Sequence, residues 1–394
     1  MSTPMAESDV VIVGAGIVGL ATALAARHEG KRVTICDRHT APVGASIRNF
    51  GMLWPVGQPK GELFDLAMRS RAIWLDLAAE VGFFCEASGS MHVAQREDEL
   101  RVLEEFVASE GASRRAQLMT PEAVLAQTPG VNPRGLIGGM YSPLELNVEA
   151  RTAIGMIWDW LQDQEGLQLI RGFEAARVEP NRVESTDGDV LECEQVYLTA
   201  GSDGIAHYPD VFTRDAFTRC KLQMMRTIAQ PDGWRMGTHV AGGWTLRHYG
   251  AFADCPSLES LKARIQDEQP EFDQHGIHIM LSQHSGGDLV IGDSHVYGDA
   301  ITPFDDEQID RLILEHAKKL VHAPSWAIEK RWHGVYLKRT DSRSLLVHRP
   351  EPGVTIINAM GGAGMTLSFG VAEQVVKQPE LAEAHFGSLV RQSV

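Results

Sequence analysis

Three glycines, Gly14, Gly16 and Gly19, follow directly on the β-branched run Val10-Val-Ile-Val13, and an acid, Asp37, ends the next apolar run at 32–36. Each glycine has a separate use in a strand-turn-helix. The first permits the tight turn, the second lets backbone approach a pyrophosphate, and the third lets the helix pack on the sheet. The unpaired N–H groups and dipole of the helix start favour negative charge, so the turn and its first helical residues, Ile17 and Val18, form a pyrophosphate cradle. Asp37, with Arg38 beside it, is placed to accept from ribose hydroxyls and repels a 2′-phosphate. A lone GxGxxG is a weak signal. Here strand, turn, helix, strand and acid are complete within about thirty residues, which makes it a strong one.

Further glycine-rich turns decide which dinucleotide the chain suits. Ala45 and Ser46 close the segment 42–46 soon after the second strand, and Ala200 and Gly201 end a later strand. The last strand, 354–358, runs into Gly361, Gly362, Ala363, Gly364, Met365 and Thr366. A nicotinamide cofactor alone has no use for a glycine turn so late in the chain. FAD does, because its ring system needs backbone donors far from its adenine. The competing explanation of the late glycines is a tight helix–strand junction. Arg48 and Asn49 lie on the Gly- and Pro-rich loop 42–60, placed to run beneath a flavin, and Val178, in a short strand at 175–178, joins the FAD-binding set.

Cationic and aromatic candidates for a substrate pocket are Arg48, Arg247, His248, Tyr249, Lys338 and Arg339, with Trp332 and Tyr336 as walls. Aromatics beside glycines are as often core. Lys221 opens an apolar strand and either faces the flavin or is solvated, the second being the commoner fate of a lysine. His275 and His278 have a metal-like spacing, but strand residues three apart point to opposite faces. No metal is expected.

These residues need elements to hold them. Helices are expected over 62–81, 97–109, 121–127, 147–164 and 305–321, and from 366 onward; strands over 167–170, 175–178, 182–185 and 195–200. A hairpin of 276–282 and 288–292 turns at 285–287. The 394 residues suit two domains, with the composition of ordinary globular protein. A net charge of −16 argues against nucleic acid or anionic membrane as partner. Five scattered cysteines and a leaderless N-terminus read as a cytoplasmic, soluble chain.

GAGIVG at 14–19, GAS at 44–46, the segment 139–143 leading to Val148 and Arg151, TAG at 199–201, Ile291-Gly-Asp293 and GGAGMTLSFG at 361–370 occur in one order along the chain. The ordered set resembles the D-amino-acid oxidase superfamily, nearest its glycine oxidase and sarcosine oxidase branch. That resemblance implies an α/β fold: a Rossmann-like FAD-binding domain of 1–60, 146–220 and 325–394, with an inserted α+β substrate domain of 61–145 and 221–324 built on a mixed sheet. It implies hydride transfer from a small primary or secondary amine to flavin, then imine hydrolysis, with dioxygen or a protein as electron acceptor. Two departures matter. No cysteine stands in the C-terminal region where the monomeric sarcosine oxidases tether flavin, so FAD should be noncovalent. Glycine oxidases carry a carboxylate-gripping arginine soon after Trp-x-Gly; here Trp332-His-Gly334 is followed by Val335, Tyr336 and Leu337. Residues 47–55 and 292–295 resemble a narrower branch associated with phosphonate breakdown. This implies an anionic substrate, 2-aminoethylphosphonate or its N-methyl derivative, giving phosphonoacetaldehyde. The alternatives are a glycine, sarcosine or D-amino-acid oxidase or dehydrogenase, an NAD-dependent dehydrogenase, and a flavoprotein without turnover.

Overall fold

In the computed structural model of the chain, residues 8–341 and 343–387 are described. A six-stranded sheet is assembled from both ends of the sequence. Val10–Val13 lies between Val33–Asp37 and Gln195–Leu198, all parallel, and Leu167–Arg171 extends one edge. On the other side Val354–Asn358 pairs parallel to Gln195–Leu198, and antiparallel Leu346–Glu351 closes the edge. The central strands are buried along their length, as their unbroken apolar runs require of a parallel sheet covered on both faces. Helices Ile17–His28, Glu62–Val81 and Gly364–Lys377 pack together on one face around Trp74, Ile154 and Phe369. Across the sheet Phe173, Val196 and Phe212 form a second core.

A nine-stranded mixed sheet carries the rest of the cavity wall. Toward one edge Phe217–Thr227 pairs antiparallel with Leu289–Gly292, Val296–Gly298 and Ile328–Arg339. The boundary expected at 325 sets Ile328–Arg339 with the dinucleotide unit, yet this strand is hydrogen-bonded along its length to Phe217–Thr227. It brings Tyr336 and Lys338 to the edge of the late glycine turn, where Lys338 bridges to Met360.

Several local expectations shift. The helix expected over 147–164 is Ala150–Gln162, because Leu146–Val148 is a strand pinned by the Asn147 Nδ2 donation to the Gln283 carbonyl. The first arm of the hairpin is strand only at Met280–Gln283. Before it, His278 and Asp293 exchange backbone hydrogen bonds at 3.3 and 3.0 Å. The helix expected from 366 begins at Gly364, after a 3-10 turn at Gly361–Ala363. Lys221 stands in mid-strand, is not solvated and does not line the cavity between the two sheets. It is buried, with its Nζ 2.8 Å from Asp305 Oδ1 and donating to the Thr302 carbonyl at 3.0 Å.

Candidate functional site

One cavity of about 1060 Å³ runs between the two sheets. At one end Gly14, with φ of 102°, makes a turn that only glycine adopts without strain, and a Cβ there would meet Ala200 Cα at 2.9 Å. Gly16 has ordinary extended backbone, and a Cβ would meet Ser46 Oγ at 3.1 Å. That hydroxyl accepts from Ile17 N at 2.9 Å. Gly19 is outside the cavity wall and does the packing expected of it, since a Cβ there would lie 1.9 Å from the Gly14 carbonyl oxygen. The N-cap residue of helix Ile17–His28 is Gly16, which has no side chain to cap the first turn, so Ser46 answers Ile17 N from the neighbouring loop. This end is therefore a concave patch of backbone and small side chains, which suits a pyrophosphate.

Asp37 is held rigid. Its Oδ2 accepts from Ala15 N at 2.8 Å and its Oδ1 from His39 N at 2.9 Å. A carboxylate has about four lone-pair sites, so both oxygens retain capacity for ribose hydroxyls. Arg38 also lines the cavity and pairs with Asp203 at 2.7 Å. Ala200 and Gly201 lie beside them, and Asn358 Nδ2 donates to the Gly201 carbonyl at 2.8 Å. Val178 departs from expectation. It is buried with Phe173, Val183 and Leu191, and it is Ala175 and Ala176, earlier in the same strand, that reach the cavity.

The middle of the cavity joins the early loop to the late turn. Ala45, Ser46, Arg48 and Asn49 line it opposite residues 361–366. Asn49 Nδ2 donates to the Ser46 carbonyl and its Oδ1 accepts from Gly51 N, so its side chain ties the loop to itself. Thr366 Oγ1 accepts from Trp54 N at 2.9 Å, joining loop to helix. Arg48 donates to the His333 carbonyl at 3.3 Å. The Tyr336 hydroxyl would lie 3.7 Å from a Cβ at Gly362, so this phenol stands against the late turn.

At the far end the cationic candidates separate. Lys338 lines the cavity and its Nζ donates to the Tyr297 hydroxyl at 3.2 Å. Arg339 borders the cavity, but its guanidinium is 1% exposed, bonded to Asp341 and the Phe386 carbonyl and set over the Phe217 ring. Arg247 is paired with Asp273 and does not line the cavity. Trp332, expected as a wall, lies outside. Its ring packs with Leu222, Met224 and Val290 and carries the Arg151 guanidinium 5.6 Å from its centroid. Tyr249 does line the cavity, with burial holding its phenol far above its ordinary value.

The expected site residues omit His278, Asp293, His295 and Tyr297, all of which line this end. The clue in the sequence was Gly292-Asp-Ser-His295 directly after a hairpin strand, but only the fold shows that it faces His248 and His278.

Compared with known proteins, residues 9–378 match the family model described as DAO, FAD dependent oxidoreductase. A glycine oxidase of Geobacillus kaustophilus is 29% identical over 151 residues, covering 36% of this chain and 40% of that protein. A D-amino-acid oxidase of Streptomyces coelicolor is 34% identical over 77 residues, covering 19% of this chain and 24% of that protein. These aligned stretches thus span less than half of either curated relative's length. Among solved structures, a glycine oxidase from Geobacillus kaustophilus superposes with a TM-score of 0.76 at 20% identity, covering 99% of this chain and 100% of that one.

Proposed function

Because the chain belongs to the DAO family of FAD dependent oxidoreductases, we propose that it oxidises a small amine bearing an acid group, with FAD held noncovalently. The observation that carries this reading is the continuity of the cavity. It runs from the pyrophosphate cradle at Gly14 and Gly16, past the late glycine turn, to an end where Lys338 is the cation that meets it without a carboxylate on its Nζ among the described residues. FAD, when bound, supplies the two-electron acceptor. The chain's own groups do the rest. Lys338 and Tyr297 hold the acid end, Tyr336 fixes the amine against the late turn, and Leu222, Met224 and Met280 keep water from the reacting C–H.

Noncovalent binding is supported by the absence of cysteine from 325–394. The acid group is read as a phosphonate, with 2-aminoethylphosphonate or its N-methyl derivative as substrate and phosphonoacetaldehyde as product. The support is the shortage of free guanidinium at this end: Arg247 and Arg339 are both committed to aspartates and Arg48, in the middle of the cavity, donates to the His333 carbonyl, which leaves Lys338 as a point charge rather than the planar fork that matches a carboxylate. Steady-state kinetics test it. The aminophosphonates should give higher kcat/KM than glycine or sarcosine, and Lys338→Met should lose about a hundredfold on them, more than on an uncharged amine. If glycine or sarcosine is the better substrate, the plain amino-acid oxidase reading replaces this one.

A further inference from the structure

Three histidines from three separate element ends meet at the far end of the cavity. His248 ends the 3-10 turn Gly243–His248, His278 precedes the strand Met280–Gln283, and His295 follows Leu289–Gly292. One ring nitrogen of each lies within 4.8 Å of the others. The rings are stacked rather than convergent. His278 and His295 are 16° from parallel with centroids 5.1 Å apart, and His248 lies over His278 at 4.1 Å and 33°. Asp293 completes the group, with Oδ1 3.3 Å from His278 Nε2 and Oδ2 4.0 Å from His295 Nε2.

This cluster has unused bonding capacity. His278 Nδ1 and Asp293 Oδ1 are buried with no hydrogen-bond partner, a condition native interiors avoid unless a ligand completes it. Desolvation, then His278, His295, Arg247 and Lys338, hold His248 well below the ordinary imidazole value; burial, then His295 and Arg247, do the same to His278, and burial holds His295 at about 4. All three are neutral at pH 7. Burial pushes the Asp293 carboxyl well above the ordinary carboxylate range. The remaining groups facing the cluster are the phenols of Tyr249, Tyr297 and Tyr336, the Cys220 thiol, and Asp273, which is held on Arg247. None of the phenols or the thiol is charged at neutral pH, because burial raises each of them.

We propose that His248, His278 and His295, with Lys338, form the binding site for a tetrahedral, doubly charged oxyanion, the phosphonate end of the substrate. The proposal rests on the anionic-amine reading above. Near-parallel rings present their edges in a row, which spreads donors over three oxygens, and the nitrogens are also near enough to one another to hold a metal ion. Arg247 and Lys338 disfavour a second cation there. A carboxylate has two oxygens and one charge, too few for the donors present. A dianion beside neutral imidazoles raises their proton affinity, so the complex takes up a proton that the empty site does not hold.

The probe is methylphosphonate, which has no amine to oxidise, added to the FAD-loaded protein and followed by calorimetry in two buffers of different ionisation enthalpy. Above the second pKa of the probe, binding should consume one proton, and affinity should fall as pH rises. His278→Asn and His295→Asn should each weaken it by about tenfold or more, while acetate binds more weakly and is little changed by them. His248→Asn serves if the other two variants lose flavin. Binding unaffected by all three substitutions, or binding without proton uptake, overturns the proposal. So does purified protein that retains a divalent metal lost with the histidines, which would make the cluster a cation site. Histidine-dependent methylphosphonate binding in a protein whose flavin no amine reduces would keep this site and sink the amine reading. Flavin reduction by amines with histidine-independent binding would do the reverse.

Discussion

Gly16 and Gly14 sit two residues apart and fail differently when given a side chain. Gly16 has a negative φ of −71° and its only close neighbour is the Ser46 hydroxyl, so valine there strains no backbone and instead fills the pyrophosphate cradle. Gly16→Val should yield folded protein, with a melting temperature near that of flavin-free wild type, that carries no flavin after purification. Normal flavin content would show that the turn serves another purpose. The same pair explains what was legible at this scale. A glycine whose use is a backbone approach announces itself by spacing, and so did Asp37, Ser46 and residues 361–366. Val178, Trp332 and Arg339 did not resolve, because the direction of a side chain and its pairing are properties of neighbours distant in the chain. Arg339 is answered by Asp341 and Phe386, and Trp332 by Arg151.

Helices were readable where one apolar face meets one partner. Glu62–Val81 carries Ala67, Ser70, Trp74 and Leu77 inward at helical spacing and was bounded correctly by its pattern. The helix Ala150–Gln162 was drawn too long, since Asn147 belongs to a strand that pairs with Met52–Leu53 and Cys85–Glu86. Two glycines measure how these helices pack. Gly370, in Gly364–Lys377, lies against Glu62–Val81 so closely that a Cβ would sit 2.3 Å from the Leu66 carbonyl oxygen, whereas a Cβ at Gly155 meets nothing within 4 Å. Gly370→Ala should therefore destabilise by about 1–3 kcal/mol through overpacking. Gly155→Ala should stabilise by about 0.5–1 kcal/mol through helix propensity and unfolded-state entropy. Denaturant melts of both check it; equal effects would mean that the two helices do not cross so closely.

Across the whole molecule, burial of histidine sets the response to acid. Desolvation holds His92 and His316 at about 3 and His239 at about 4. Each is neutral when folded and takes a proton near pH 6.5 once unfolded. Their contribution is full above the unfolded value and is lost as pH falls from about 6.5 toward 4, by on the order of 2 kcal/mol each at pH 5. Glu145 acts oppositely, since burial raises it to about 7 and its folded form keeps a proton that the unfolded form has released. The cluster at His248, His278 and His295 adds to the histidine side and Asp293 to the carboxyl side, so the histidines prevail. The melting temperature should fall between pH 6.5 and 4.5, and a flat or rising profile would contradict this. The same burial shapes one end of the cavity, where the histidines and phenols stand uncharged beside Lys338. Its purpose is tested most directly by the visible spectrum of the purified protein under anaerobic conditions, before and after 2-aminoethylphosphonate and its N-methyl derivative. The account predicts a yellow protein that releases its flavin as FAD on acid precipitation and is bleached by at least one of these amines. A colourless protein, flavin left in the pellet, or a yellow one whose spectrum neither amine alters would contradict it.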